Sequence, residues 1–163
     1  MIFHSMMKTF PEIPHSSEGP ALTVSNTSGI SIPVESELLQ TLAGFIEAEE
    51  NVRFQQIELV YIDENEMIQI NREYLGKEYV TDIITFRLDE NEHNMAIEGT
   101  LFCCARRITE QSTEFGTDIK SEFYRIFIHG LLHLAGYEDA HHDLKHQMTA
   151  REDHYLEQLN SLL

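Results

Sequence analysis

The chain is poor in three things, and each scarcity excludes a class of protein. It has two cysteines in 163 residues, adjacent at Cys103 and Cys104. Sequence neighbours cannot staple distant parts of a fold, so no disulfide scaffold is present and a reducing, cytoplasmic setting is expected. Basic residues are scarce as well. Eleven Lys and Arg stand against twenty-eight Asp and Glu, a formal net charge of −17, which argues against a basic, non-specific nucleic-acid binder while leaving room for a local basic site. Long apolar runs are missing, with nothing near the ~18 residues of a membrane-spanning helix and no secretory signal core in Met1 to Lys8.

What remains has the size and composition of one soluble domain, with 42% hydrophobic and 24% charged residues, long enough to bury a core without cross-links. Residues 11–20 (PEIPHSSEGP) hold three of the four prolines, so residues 1–20 are expected to be a flexible lead-in and residues 21–163 the domain. Residues 21–25 and 29–33 read as extended. Glu35 to Glu50 reads as a helix with Leu38, Leu39, Leu42, Phe45 and Ile46 on one face. Ile57 to Ile62, Thr81 to Leu88 and Ile97 to Cys103 read as strands, the last two separated by the polar turn DENEHN, and Asp63 can cap a helix carrying Met67, Ile70 and Tyr74.

The second half reads as three helices, from Arg106 to Phe115, Ile119 to Ala135 and about Asp143 to Leu162. The expected fold is α/β (α+β), with a mixed sheet of about four strands and about five helices. Its buried centre is the apolar helix from Ile119.

That helix carries His129-Gly-Leu-Leu-His133. Residues at i and i+4 project from one face, one turn apart, at the spacing with which two imidazoles grip one metal ion. In so apolar a stretch two unpartnered imidazoles would be costly. After Gly136 the chain turns and brings Asp139, His141 and His142 within a few residues. Any of these can supply a third ligand and leave the open fourth position of a catalytic zinc. A zinc peptidase of the His-Glu-x-x-His type needs a Glu beside the first histidine, where this chain has Gly130. Peptide hydrolysis is thereby demoted.

His129-Gly-Leu-Leu-His133-Leu-Ala-Gly136-Tyr137-Glu-Asp139 resembles the His-Gly-x-Leu-His-Leu-x-Gly-Tyr-Asp-His signature of the YbeY family, metal-dependent endoribonucleases of ribosomal RNA maturation. Upstream, Asn71-Arg-Glu-Tyr74 and Thr81-Asp82-Ile-Ile-Thr-Phe86 are similar to the family's Asn-x-x-Tyr and Thr-Asn/Asp-Val-Leu-Ser-Phe segments. The likeness spans about residues 35–160. It implies one Zn²⁺ per chain held by His129, His133 and Asp139, the last standing where the family has a third histidine. His141 is the alternative third ligand if the alignment slips by two residues. Leu75 stands where many relatives carry an arginine, so phosphate contact must come from elsewhere. Arg125, one turn before His129, is the candidate, its ordinary alternative being an ion pair to Glu122. Arg106, Arg107 and Lys120 are candidates for a small basic rim. Thr81, Asp82 and Thr85 can orient ligands from a strand, though packing is their default role.

The resemblance implies a zinc-dependent, single-strand endoribonuclease acting on ribosomal precursor RNA in rRNA maturation and ribosome quality control, with no DNA and no membrane partner. The acidic surface suits a basic ribosomal protein. The alternatives are a ribosome assembly factor with a structural metal and no turnover, and a metal-dependent hydrolase of a peptide or small molecule.

Overall fold

The computed structural model describes the backbone of Ile2–His4 and residues 19–89 and 96–163. Residues 5–18, most of the expected lead-in, and residues 90–95, most of the DENEHN turn, lie outside the described residues. In chain order the elements are β1 (Ile2–His4), β2 (Leu22–Asn26), α1 (Ser36–Glu50), β3 (Arg53–Ile62), α2 (Glu64–Leu75), β4 (Ile83–Arg87), β5 (Ala96–Cys104), α3 (Ala105–Phe115), α4 (Ile119–Leu134) and α5 (His142–Asn160). The α/β architecture and the five helices match the expectation. The sheet has four strands within the expected domain and a short fifth, β1, from the start of the segment expected as lead-in. Residues 29–33 form bends and coil, not a strand.

The strand order is β1-β4-β5-β3-β2. β4 and β5 are antiparallel, with Ile83 opposite Cys103 and Arg87 opposite Gly99, while β1–β4, β2–β3 and β3–β5 pair in parallel. Alternation along β4 and β5 sends residues to two apolar layers. Ile83, Leu101 and Cys103 join the main core with α1, α4 and α5. Ile84, Phe86 and Cys104 join the smaller layer under α2. The two cysteines therefore face opposite sides of the sheet, both free and buried, and burial pushes the Cys103 thiol well up.

Local signals start and stop the helices as their chemistry dictates. Asp63 accepts from Glu66 N at 2.8 Å and Asp118 from Ser121 N at 3.1 Å, each satisfying a free donor of the first turn. Gly76 and Gly116 close α2 and α3 at φ 64° and 65°, the left-handed region that other residues resist.

α4 lies at the centre, in contact with α1, α3, α5, β4 and β5. Its close approach to the sheet explains Gly130. A Cβ there would meet Ile83 Cδ1 at 2.8 Å and both Leu101 methyl groups at 3.0 Å. The residue beside His129 thus faces packed sheet, and a glutamate placed there would bury an unpaired charge.

Candidate metal centre

His129 and His133 project from one stripe of α4, one turn apart, and the chain beyond the helix returns to meet them. Gly136, at φ 108°, reverses the chain so that Tyr137 N donates to Leu132 O at 3.0 Å. The same turn aims the Tyr137 carbonyl at His133, which donates to it through Nδ1 at 3.0 Å. Two residues further on, Asp139 Oδ2 stands 3.4 Å from His129 Nε2 and 3.5 Å from His133 Nε2. Among the described residues these three form the one group of three donors able to hold a metal ion, with all ligand atoms within 4.8 Å of one another.

His141 is not in that group. It occupies the N-cap of α5 without a side-chain capping bond and is exposed. His142 also lies on the surface, 3.8 Å from the exposed Asp143.

An acceptor that the sequence does not single out completes the site. Glu152, on α5 and buried, accepts from His129 Nδ1 at 2.7 Å. A carboxylate and a carbonyl can only accept, so both Nδ1 atoms carry the proton and both Nε2 lone pairs point inward. Those two nitrogens are 3.0 Å apart. Facing lone pairs at that distance require a positive charge between them, either a proton or a cation. The separations of 3.0, 3.4 and 3.5 Å match the edges of a tetrahedron of N and O ligands around a small ion, about 3.3 Å for bonds of about 2.0 Å. The residues fit a metal.

The electrostatics separate the two rings. Burial works against charge on His129, but the Asp139 and Glu152 carboxylates outweigh it and raise its pKa to about 9. At His133, burial and the neighbouring His129 charge lower it to about 4. Without a metal, His129 is therefore protonated on Nε2 as well at neutral pH, and its hydrogen bond to Asp139, assisted by the nearby His133, holds that carboxyl well below the usual range.

Arg125 is placed differently from the expectation. Its guanidinium donates to Glu152 Oε1 at 3.0 Å and to Asp153 Oδ1 at 2.6 Å, so its ion pairs are with α5 instead of Glu122. Glu122 is itself buried, and desolvation raises its pKa. The expected basic rim is neutralised: Arg106 pairs with Glu64, Arg107 with Glu110 and Glu114, and Lys120 with Glu35. Asp82 accepts from Ile83 N and Gln111 Nε2, which ties the start of β4 to α3. Thr85 is buried in β4 with no partner for its hydroxyl among the described residues.

The triad opens into a cleft of about 930 Å³ lined also by Asn71, Leu75, Tyr79, Asp82, Glu138 and Lys145. Its walls are the α2–β4 loop, the end of α4 and the first turn of α5. Among the described residues no helix is long and apolar enough to cross a membrane.

A family model described as Endoribonuclease YbeY matches residues 25–160. Relatives of that name include one from Chlorobium phaeobacteroides, 38% identical over 87% of this chain and 99% of its own length. Another, from Chlorobaculum tepidum, is 34% identical over 85% of this chain and 97% of its own. The fold is similar to a solution structure from Thermotoga maritima, with a TM-score of 0.56 at 24% identity over 85% of this chain and 88% of that one.

Proposed function

The chain belongs to the Endoribonuclease YbeY family and is an endoribonuclease, and from that premise we propose that it cuts ribosomal precursor RNA with one Zn²⁺ held by His129, His133 and Asp139. The carrying observation is the convergence of those three donors, within 4.8 Å, at the floor of a cleft large enough for a nucleotide. Zinc bound there supplies Lewis acidity, withdrawing electron density from a phosphoryl oxygen and acidifying water.

The chain's own residues prepare the site. Glu152 and the Tyr137 carbonyl hold the Nδ1 protons, fixing the tautomer and the direction of each ring. Arg125 neutralises the second oxygen of Glu152 and so acts on the site through that carboxylate, while its own contact to phosphate would require release from Asp153. An Asp ligand in place of a third His adds negative charge, so the metal's pull on water is weaker than in a three-histidine site.

The charge of −17 repels free RNA at long range and attracts basic proteins, which supports docking on a basic ribosomal protein. Buried free thiols suit a cytoplasmic setting.

Protein purified without added metal should contain about one zinc per chain; nickel or manganese in its place would change the cofactor. Purified protein should cleave precursor rRNA, and His133→Ala should abolish that cleavage. Undiminished cleavage by the variant would refute the catalytic metal. A 2′,3′-cyclic phosphate product end would exclude direct attack by water.

A further inference from the structure

The centre accounts for the cleft floor and leaves its rim unexplained. Tyr79, in the loop between α2 and β4, lines the cleft and is 53% exposed. Its main chain is nevertheless anchored. Asn71, fully buried in α2, donates through Nδ2 to the Tyr79 carbonyl at 2.7 Å. That amide's own Oδ1 has no partner among the described residues, an energetic penalty, and the loop is tied to α2 a second time by Lys77 N donating to Asn71 O at 3.3 Å. Lys77 Nζ lies over the ring, 5.8 Å from its centroid. An exposed aromatic lining the cleft on a main chain that a buried amide fixes starts with its backbone already ordered, which lowers the ordering cost when a flat ligand arrives.

Lys145, in the first turn of α5, lines the same cleft and forms no ion pair among the described residues. Arg125, Arg106, Arg107 and Lys120 are all neutralised by carboxylates.

We infer that Tyr79 is a stacking platform for one base of a single-stranded RNA segment and that Lys145 contacts a backbone phosphate of the same segment, an inference that rests on the endoribonuclease reading above. Stacking suits this chain because it does not depend on charge, and a molecule at −17 has little long-range attraction to offer a polyanion. A paired duplex hides its base faces, so Tyr79 also favours unpaired substrate.

The test is binding of a labelled single-stranded RNA oligonucleotide to the zinc-loaded full chain, followed by anisotropy, beside an oligonucleotide with abasic sites throughout. Tyr79→Ala should weaken binding of the base-containing RNA about 5- to 150-fold and leave the abasic RNA unchanged, and Tyr79→Phe should bind as the parent does. In cleavage the loss should fall on KM more than on kcat. Lys145→Gln should weaken both RNAs equally and reduce the slope of log affinity against log salt by about 0.7. The inference is overturned if Tyr79→Ala binds both RNAs as the parent does, or weakens both alike, or if Lys145→Gln leaves the salt slope unaltered. Should the parent protein cleave RNA normally in those cases, the endoribonuclease reading stands and the rim assignment alone fails. A zinc-loaded parent that neither binds nor cleaves RNA overturns both.

Discussion

His129 and His133 sit one turn apart on α4 and aim at the same point, yet opposite kinds of partner hold them. His129, with 19% of its side chain exposed, is held by the Glu152 side chain, which Arg125 secures from the other side. His133, at 2%, is held by a peptide carbonyl, that of Tyr137. The Tyr137 ring is anchored in turn, its hydroxyl donating to Glu50 Oε2 at 2.8 Å. Glu50 also accepts from Tyr155 at 2.7 Å and from Arg151 at 2.6 Å. One arm of the site is thus a chain of charged side chains, and the other is backbone geometry clamped at its far end. Substitution can remove the first arm directly and reach the second only indirectly.

The contrast can be broken outright by removing a ligand. His133→Ala should lower metal affinity and cleavage by more than about 100-fold, beyond the usual loss for an outer partner, as read by elemental analysis and RNA cleavage. Glu152→Ala attacks the side-chain arm. It should cost about 10- to 100-fold in metal affinity, measured by chelator competition, with Glu152→Gln closer to the parent because an amide oxygen still accepts.

Glu50→Gln attacks the clamp. Metal affinity should fall less than in Glu152→Ala, and folding stability by about 2 kcal/mol, the scale of a hydrogen bond to a charged group. Burial opposes the Glu50 charge, but hydrogen bonds from Tyr155, Arg151 and Tyr137 hold its pKa below the ordinary value. Because the unfolded chain takes up that proton first as pH drops, the Glu50 contribution is complete above the ordinary carboxylate range and is lost as pH falls through the folded value. Urea unfolding at neutral and acid pH should show the loss in the parent and a flatter profile in Glu50→Gln. The smallest change is Tyr137→Phe, which keeps the carbonyl and removes only the hydroxyl. Zinc content should stay at the parent level with about 1 kcal/mol of stability lost; loss of zinc would mean that the ring, and not the turn, aims the carbonyl.

What could be read from the chain was local. The spacing of His129 and His133, the break at Gly136 and the caps at Asp63 and Asp118 depend on near neighbours, so periodicity and turn chemistry reveal them. Glu152 lies 23 residues from His129 on a helix whose register against α4 is set by packing, and only the folded chain brings them together. For the same reason Arg125 found Glu152 and Asp153 on α5 and not Glu122 one turn away. The Tyr137 carbonyl has no side-chain signature, though Gly136 marks a turn of the kind that frees one. β1 was hidden because three residues carry too little alternation to be recognised as a strand.

α5 begins after the last of the three ligands, yet it supplies Glu152 to His129, Lys145 to the cleft rim and Arg151 to Glu50, and it is fixed by the buried Met148, Tyr155, Leu156 and Leu159. A reading frame ending at residue 141 would therefore encode all three proposed ligands and is expected to yield no working centre. For anyone trimming or tagging this protein, the twenty-two residues after 141 belong with the histidines as part of the smallest unit that can be expected to retain a metal ion.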